Sequence, residues 1–325
     1  MPSNKKKLSA KNISPVKRKS TRDGFGEAML YLGAKNKSIV VVSADLAEST
    51  RVKKFGQKFP QRFFEVGVAE QNMMGIAAGL ALSGKIPYVA SFGVFSPGRN
   101  WDQIRVSVCY SKANVKIVAS HTGLSVGPDG ASHQALEDIA LMRVLPNMTV
   151  IAPADYHEAK KATIEAAKIN GPVYIRLTRQ AGTAITTNNS SFKIGKANIL
   201  KTGQDLTIIG CGPILEQAIL AGNELKKKNI SVEIINCHTI KPLDSTTILR
   251  SVKKTKHLIS LEDHQQAGGL GSAIAEMLAE NYPLPMKIIG VKDCFGESGE
   301  PEELWEKYAL SYPNIVRAAL KLLKK

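Results

Sequence analysis

The sequence predicts an α/β protein with two domains, each a largely parallel sheet covered by helices. The length of 325 residues is enough for two domains of ordinary size. Short runs such as 39–42 consist entirely of apolar, β-branched residues, which is typical of strands buried on both faces. Helical patterns alternate with these runs along most of the chain, and this alternation favours parallel sheets with helices on both faces.

The first domain is predicted to span residues 21–185. Residues 1–20 are basic and have little to bury, so we expect a disordered tail there. Thr21 is the predicted cap of the first helix. The predicted helices are 22–34, 70–82, 101–110, 133–144 and 155–167, and the predicted strands are 39–42, 86–90, 115–119, 148–151 and 173–177.

The second domain is predicted to span residues 205–325. The polar residues 186–204, rich in Thr, Asn and Ser, are expected to form the linker. A second alternation of apolar runs and helical patterns follows. The predicted strands are 206–209, 232–235, 258–261 and 287–291, and the predicted helices are 214–227, 245–254, 270–280 and 315–324.

The composition argues against several classes of function. The formal net charge is +16, which raises nucleic acid as a partner. Residues 1–20 contain seven Lys or Arg residues and no acid, so much of the excess is in the tail and we expect no specific nucleic-acid site. No apolar run is long enough to span a membrane. The four isolated cysteines are typical of a reducing compartment, and we expect a cytoplasmic protein.

Glu70 stands out because the sequence on both sides of it is largely apolar. Burying a carboxylate is costly unless a partner compensates for the lost hydration. The helical spacing of Met73, Ile76, Ala77 and Leu80 places Glu70 in the first turn of a helix, where the helix dipole favours a negative charge. From the residues alone, Glu70 is either a helix-start carboxylate or a functional acid.

Several residues that could bind a ligand follow the ends of predicted strands. In a parallel sheet these ends meet at one edge, which is where α/β proteins bind their ligands. A polar residue at a strand end is common, so only the combination indicates a site. The residues are Asp45 and Ser49 after the first strand, Phe92 and Phe95 after the second, His121 after the third and Arg179 after the last.

The loop after the third strand contains His121, Asp129 and His133. Two histidines with an aspartate between them could bind a metal, but a third nearby ligand is missing and we expect no metal site in this chain. The glycines of the loop could surround a phosphate, yet the loop matches neither common phosphate-binding glycine pattern. The residues alone leave the role of this loop open.

Several segments together resemble transketolases and related thiamine diphosphate enzymes. The match extends from about Thr21 to Arg179 and becomes weaker toward the C-terminus. The resemblance implies a pyrimidine-binding domain followed by a transketolase C-terminal domain. The matching segments are Thr21-Arg22, Ser43-Ala44-Asp45-Leu46, 63–82, Ser91-Phe92-Gly93-Val94-Phe95, 121–134 and 176–180.

The resemblance implies roles toward the cofactor for four residues. Glu70 would hydrogen-bond ring nitrogen N1′ of the aminopyrimidine of thiamine diphosphate and activate the cofactor. Asp45 would lie beside the cofactor, and Phe92 and Phe95 would form the aromatic wall of the aminopyrimidine pocket. Gly98 stands where many transketolases have Tyr, which predicts a thinner wall.

The resemblance also implies roles toward a sugar phosphate. His121, Asp129 and His133 would orient the sugar hydroxyls, and the two histidines would assist proton transfer. Ala131 replaces the usual Pro in this loop. The residues expected to hold the substrate phosphate are Arg22, Ser49 and Arg179.

The sequence contains no Gly-Asp-Gly triplet, with which these enzymes hold magnesium and the cofactor diphosphate in an N-terminal domain. The chain therefore resembles the C-terminal half of a split transketolase. We expect an amino-terminal subunit to supply Mg²⁺ and the diphosphate site, in an assembly of two copies of each chain. The expected reaction transfers a two-carbon ketol unit between sugar phosphates of the pentose phosphate pathway.

Three other functions stay open. A 1-deoxyxylulose-5-phosphate synthase-like enzyme and a 2-oxoacid dehydrogenase beta-type subunit are the enzymatic alternatives. A basic nucleic-acid-binding protein is the non-enzymatic alternative. The spacing of Gly75 and Gly79 also has two interpretations, because it suits a helix at a subunit interface and a tightly packed core helix equally well.

The second domain contains Glu262-Asp263-His264 and the glycine-rich turn 268–271. A histidine between acidic neighbours could be catalytic, and a glycine-rich turn before a helix could bind an anion. The resemblance implies that this domain is remote from the chemistry. We therefore expect a structural network at His264, and packing and subunit contacts at the glycine-rich turn.

Overall fold

The computed structural model describes residues 18–324. The predicted tail over 1–20 lies almost entirely outside this range. Lys19 and Ser20 are within it and form a short strand, so the predicted disorder is wrong for these two residues.

Ser20, rather than Thr21, caps the first helix. The Ser20 hydroxyl accepts a hydrogen bond from the Asp23 amide, and the Asp23 carboxylate accepts one from the Ser20 amide, so the two residues form a capping box. The Thr21 hydroxyl instead accepts a hydrogen bond of 2.7 Å from the Thr178 amide. This contact ties the start of the first helix to the segment that carries Arg179.

The helices agree in number and order with the predicted ones, with two short additions, α2 and α10. Shorter 3₁₀ turns lie at Pro60–Arg62 and Leu124–Asp129. The helices of the described residues are α1 (Thr21–Lys35), α2 (Lys53–Lys58), α3 (Glu70–Leu82), α4 (Trp101–Gln103, continued as a π-helix over Ile104–Tyr110), α5 (Asp138–Arg143), α6 (Tyr156–Ala166), α7 (Leu215–Lys227), α8 (Ser245–Thr255), α9 (Leu270–Asn281), α10 (Pro301–Lys307) and α11 (Tyr312–Leu323).

The strands include every predicted one, together with short strands that the sequence pattern does not reveal. The strands of the described residues are β1 (Lys19–Ser20), β2 (Ile39–Ser43), β3 (Phe63–Glu65), β4 (Ile86–Phe92), β5 (Lys116–Ser120), β6 (Thr149–Ile151), β7 (Val173–Arg176), β8 (Ala181–Gly182), β9 (Asn198–Lys201), β10 (Leu206–Gly210), β11 (Val232–Asn236), β12 (Thr239–Lys241), β13 (Leu258–Gln265) and β14 (Met286–Val291).

The first sheet has the strand order β12-β6-β7-β5-β4-β2-β3. Neighbouring strands are parallel except β12 and β6, which are antiparallel. One face packs on α1 and α6, and the other face packs on α3 and the π-helix. Both faces are thus covered, which explains why the predicted strands are apolar throughout.

The second sheet has the strand order β14-β13-β10-β11-β9, with β9 antiparallel to β11 and the other neighbours parallel. Strand β9 lies inside the predicted linker 186–204, and β12 crosses from the second half of the chain into the first sheet. The apolar core under α3 continues into the second domain through Ile209 and Ile235. The two sheets and their helices establish the predicted α/β fold.

The predicted helix over 133–144 is wrong in its first five residues, because α5 begins only at Asp138. Backbone carbonyls just before α5 accept hydrogen bonds from amides elsewhere in the chain. The Ala135 carbonyl accepts a hydrogen bond of 2.8 Å from the Gly123 amide, and the Leu136 carbonyl accepts one of 2.8 Å from the Gln265 amide. An extended segment is needed to reach both.

Within residues 18–324, no helix combines the length and the apolar character that crossing a membrane requires.

Candidate active site

The candidate residues gather at the carboxyl edge of the first sheet. Strands β2, β4, β5 and β7 are parallel neighbours, so their carboxyl ends lie side by side. This order places Phe92 at the end of one strand, with Asp45, His121 and Arg179 just beyond the ends of the other three. The predicted meeting of these strand ends is therefore found in the fold.

His121 is buried and contacts Arg22. Arg22 Nη1 donates to the Ser49 carbonyl at 2.9 Å and lies 3.4 Å from His121 Nε2. A guanidinium has only donors, so Nε2 accepts, and the proton of the neutral ring is on Nδ1, which lies 2.8 Å from Ser120 Oγ. Burial and the neighbouring cations, Arg22 first among them, lower the pKa of His121 to about 3.

Strain at His121 accompanies these contacts. Its φ of 57° lies in the left-handed region, which a residue with a side chain adopts at a cost. The backbone there turns sharply out of β5. Such positions persist where the surrounding structure holds them, and they cluster at functional sites.

An aromatic cluster joins the two histidines. The rings of Phe92 and His121 are stacked with centroids 3.7 Å apart, and the rings of Phe92 and Phe95 are stacked at 5.7 Å. His133 meets the edge of Phe95 at 5.5 Å. The structure thus brings both predicted catalytic histidines together with the predicted aromatic wall.

Arg179 and Asp129 form an ion pair of 2.9 Å, and each side chain is partly exposed. Arg179 also donates to the Val126 carbonyl at 3.2 Å. Arg22 is nearby, and burial together with the Arg51 and Arg179 charges lowers the Arg22 pKa to about 10. These guanidinium groups form a positive region beside His121, and Arg51, which pairs with Asp23 at 2.8 Å, is a member that the sequence pattern did not reveal.

An unused donor is also present in this region. Arg22 Nε is buried and has no hydrogen-bond partner among the described residues. A buried donor without an acceptor is costly, and an anionic ligand would satisfy it. The region is therefore suited to an anion.

Glu70 is the first residue of α3 and is 4% exposed. Its carboxylate has a partner that the sequence pattern did not identify: Arg99 Nη1 lies 3.0 Å from Glu70 Oε1. The Arg99 guanidinium also lies 4.0 Å from the centroid of the Phe95 ring. The carboxylate, the guanidinium and the aromatic ring form one cluster.

Gly98 has a backbone reason for being glycine. A Cβ atom at this position would lie 2.0 Å from the Val94 carbonyl oxygen, so a side chain would force the turn apart. The next residue, Arg99, places its guanidinium over the Phe95 ring.

Asp45 and Ser49 lie in the loop after β2. Asp45 is exposed, adopts a φ of 59°, and its amide donates to Glu65 Oε1 at 2.6 Å. Ser49 contributes its carbonyl to Arg22. The structure places both residues at the edge, but only Ser49 contacts another of the predicted site residues.

The second domain takes part in shaping the site, contrary to the expectation that it is remote. Asp263 accepts hydrogen bonds from the amides of Leu124 and Ser125, at 2.9 and 3.3 Å. A Cβ atom at Gly123, where φ is 77°, would lie 2.3 Å from the same carboxylate. Asp263 therefore fixes the loop that carries Asp129.

The other polar groups of the second domain form the expected structural network. Glu262 accepts from the amides of Leu270 and Gly271 at 2.7 and 2.8 Å, so it already occupies the start of α9, where an anion would otherwise bind. Burial raises the pKa of Glu262 to about 7 and lowers that of His264 to about 4. In residues 18–324, no cluster of three or more His, Cys, Asp or Glu side chains has the arrangement of a metal site.

Comparison with known proteins covers nearly the whole chain. Residues 17–183 match the family model for the transketolase pyrimidine binding domain. Residues 195–315 match the model for the transketolase C-terminal domain. A protein of Methanocaldococcus jannaschii, provisionally named a transketolase C-terminal section, is 47% identical over 94% of this chain and 97% of its own length.

Two further relatives carry names that specify sugars. The 6-deoxy-6-sulfo-D-fructose transketolase subunit of a Clostridium species is 43% identical, and the alignment covers 92% of each chain. An apulose-4-phosphate transketolase subunit of Phocaeicola vulgatus is 36% identical over 94% of this chain and 97% of its own length.

A solved structure described as a split-gene transketolase, inactive beta4 tetramer, superposes with a TM-score of 0.87 and 42% identity. The superposition covers 95% of this chain and 99% of that one. The two domain models, the matching relatives and this structure agree along the chain. This chain therefore belongs to the transketolase family, as the C-terminal section of a split transketolase.

Proposed function

We propose that this chain is the C-terminal subunit of a transketolase that transfers a two-carbon ketol unit from a ketose phosphate to an aldose phosphate, as in the pentose phosphate pathway. The proposal depends chiefly on one unbroken line of contacts at the sheet edge. It runs from the guanidinium groups of the anion-binding region through His121 and the two phenylalanines to Arg99, which pairs with the carboxylate of Glu70. An anion-binding end and an acidic end on one surface suit a sugar phosphate and a cofactor ring.

The residues at the acidic end fit the aminopyrimidine of thiamine diphosphate. In its N1′-protonated form this planar ring donates at N1′, so it needs an acceptor at that edge and an apolar face beside it. Glu70 supplies a buried acceptor, and Phe95 and Phe92 supply the faces. The bound cofactor would supply the carbanion chemistry of ketol transfer, which no side chain provides by itself.

The side chains of this chain would bind and orient the sugar phosphate. Neutral His121 would accept a hydrogen bond from a sugar hydroxyl at Nε2 once Arg22 turns to the phosphate, because its low pKa keeps that nitrogen unprotonated. His133, beside Phe95, would hold or move a second proton of the substrate. Asp129 would accept a hydrogen bond from a sugar hydroxyl when Arg179 moves away to bind the phosphate.

A phosphate is the anion that we expect at the positive region. Arg22 and Arg179 can each present two parallel donors to it, and Ser49 lies beside Arg22. One relative is named for a phosphate sugar and another for a sulfonate sugar, so both names specify an anionic ligand. The shared feature supports an anionic sugar as the substrate class.

We also propose that activity requires an amino-terminal partner that supplies Mg²⁺ and the diphosphate site. The three relatives described above align over 92 to 97% of their own length and are named as subunits or as a section of a transketolase. The solved split-gene structure is described as an inactive assembly of four beta chains. A matching complex here would contain two copies of each chain.

The glycines of α3 support an interface between subunits. A Cβ atom at Gly75 or Gly79 would have no atom within 4 Å, so these residues face outward. The interpretation of α3 as a tightly packed core helix at these positions is therefore wrong. Leu82, at the end of the same helix, and Val68, just before it, are also exposed apolar side chains.

Reconstitution tests the proposal. The chain alone, with thiamine diphosphate and Mg²⁺, should bind the cofactor weakly and catalyse no ketol transfer. Adding an amino-terminal transketolase subunit that contains the Gly-Asp-Gly triplet should produce activity that saturates at one partner per chain. Full turnover by the chain alone would refute the need for a partner, and turnover of pyruvate in place of a ketose phosphate would favour a deoxyxylulose-phosphate synthase.

A further inference from the structure

Arg99 covers two candidate cofactor residues with one side chain. Its Nη1 lies 3.0 Å from Glu70 Oε1, and its guanidinium carbon lies 4.0 Å from the centroid of the Phe95 ring. The side chain of Glu70 is only 4% exposed, whereas that of Arg99 is 49% exposed. The guanidinium therefore lies between the carboxylate and the solvent.

The backbone around Arg99 is held more firmly than its side chain. The Arg99 amide donates to the Phe95 carbonyl at 2.9 Å, and the Gln71 side chain donates to the Arg99 carbonyl at 3.3 Å. Asn100 Nδ2 donates to the Glu70 carbonyl at 3.1 Å, which fixes the turn against the start of α3. The half-exposed guanidinium can move into water while this backbone stays in place.

The guanidinium has the shape and the bonding pattern of the ring that Glu70 and Phe95 would otherwise receive. It is planar, it stacks on an aromatic face, and it presents N–H donors at its rim. The N1′-protonated aminopyrimidine would need the same face and the same acceptor. A ring that bound Oε1 of Glu70 and lay over this face of Phe95 would therefore have to displace the guanidinium.

We infer that Arg99 is a positioning residue that closes the aminopyrimidine pocket in the free chain and must swing away before the cofactor ring binds. This inference depends on the proposed function, since it requires a cofactor ring at Glu70. In the free chain Arg99 neutralises the buried carboxylate and keeps Phe95 covered. On cofactor binding it moves to the solvent side, which its exposure makes inexpensive.

A competing side chain lowers the apparent affinity for the cofactor. The measured dissociation constant is the intrinsic one divided by the fraction of chains in which the pocket is open. An ion pair with one exposed partner and a cation–π contact together favour the closed form by a factor of about 3 to 30. Arg99→Ala should tighten cofactor binding by about that factor.

The first experiment does not involve the cofactor. The full chain is treated with a water-soluble carbodiimide and an amine, and modification of Glu70 is followed by peptide mass spectrometry. Modification should be severalfold faster in Arg99→Ala than in the wild type. It should be unchanged in the matched variant Arg105→Ala, which removes an exposed arginine from the adjoining π-helix. Equal rates in all three proteins would overturn the inference.

The second experiment measures cofactor binding by isothermal titration of thiamine diphosphate with Mg²⁺, in the complex with the amino-terminal subunit. Arg99→Ala should bind about 3- to 30-fold more tightly than the wild type, and Arg105→Ala should bind like the wild type. Weaker or unchanged binding in Arg99→Ala would overturn the inference. If Glu70 becomes more reactive in Arg99→Ala but no protein binds the cofactor, the arginine contact stands and the proposed function fails.

Discussion

Replacing Glu70 by Gln separates its proposed role in catalysis from its role in the fold. Gln has nearly the same volume and keeps one acceptor oxygen, so the packing at the start of α3 is preserved. The change removes an ion pair whose other partner, Arg99, is 49% exposed, and such pairs contribute only about 0 to 1 kcal/mol. We expect the melting temperature to fall by no more than about 4 °C.

The expected effect on catalysis is larger. Loss of a general acid or base costs about 10²- to 10⁴-fold, so kcat of the assembled enzyme should fall by at least about 10²-fold, equivalent to about 2.7 kcal/mol of activation free energy. The direct assay is exchange of the cofactor C2 proton for deuterium, followed by NMR in the complex with the amino-terminal subunit.

A matched variant controls for the loss of a Glu–Arg pair elsewhere. Glu276 of the second domain pairs with Arg143 of the first domain, and Glu276→Gln should leave both exchange and kcat unchanged. Near-normal exchange in Glu70→Gln would refute the assignment of Glu70. A fall in kcat matched by an equal loss of folded protein would show that Glu70 is a structural carboxylate.

Three further outcomes are expected. Arg179→Ala should lower kcat/KM for phosphorylated sugars by roughly 10- to 100-fold, because a hydrogen bond to a charged group contributes about 1.5 to 3 kcal/mol. The effect on the unphosphorylated sugars should be far smaller. Equal losses of kcat/KM for both kinds of sugar would exclude phosphate binding by Arg179. The His121 ring should stay neutral, with Nδ1 protonated, from about pH 5 to 8 in ¹⁵N NMR spectra. Because folding lowers the His121 pKa to about 3, the contribution of this ring to stability is complete above about pH 6.5 and is lost as the pH falls toward 3. Titration of the ring near neutrality would contradict the argument that burial lowers its pKa. Asp263→Ala should lower the unfolding free energy by about 2 to 4 kcal/mol, because two buried amides lose their acceptor. It should also raise KM, because the loop that carries Asp129 is no longer fixed. Denaturant unfolding tests the first effect and steady-state kinetics the second.

The sequence predicted the two α/β domains because their strands are continuous apolar runs, and such runs need both faces covered. It did not predict β9 and β12, which are short and are defined by pairing with strands far away in the sequence. It also extended α5 too far toward the N-terminus, since an apolar pattern does not show that the Ala135 and Leu136 carbonyls bond to distant amides.

The candidate site was predicted in its composition but not in its contacts. The strand-end rule gathers His121, Phe92 and Arg179 at one edge, and the fold does place them there. Arg99 was missed because its contacts arise from the turn between β4 and α4, where no periodic pattern exists. The pairing of Arg179 with Asp129 was missed for a related reason, since their side chains meet across two different loops.

Strand β12 has a consequence for dividing this chain. It pairs with β6 through Thr239 opposite Ile151, so this edge of the first sheet is covered by residues that follow β6 by about ninety positions in the sequence. A fragment that ended near residue 185 would expose that edge together with the apolar face that meets Ile209 and Ile235. Such a fragment would be prone to edge-to-edge aggregation, even though its own helices and strands are complete. We therefore expect the pair of domains, rather than the first domain alone, to be the unit that folds and can be exchanged between subunits.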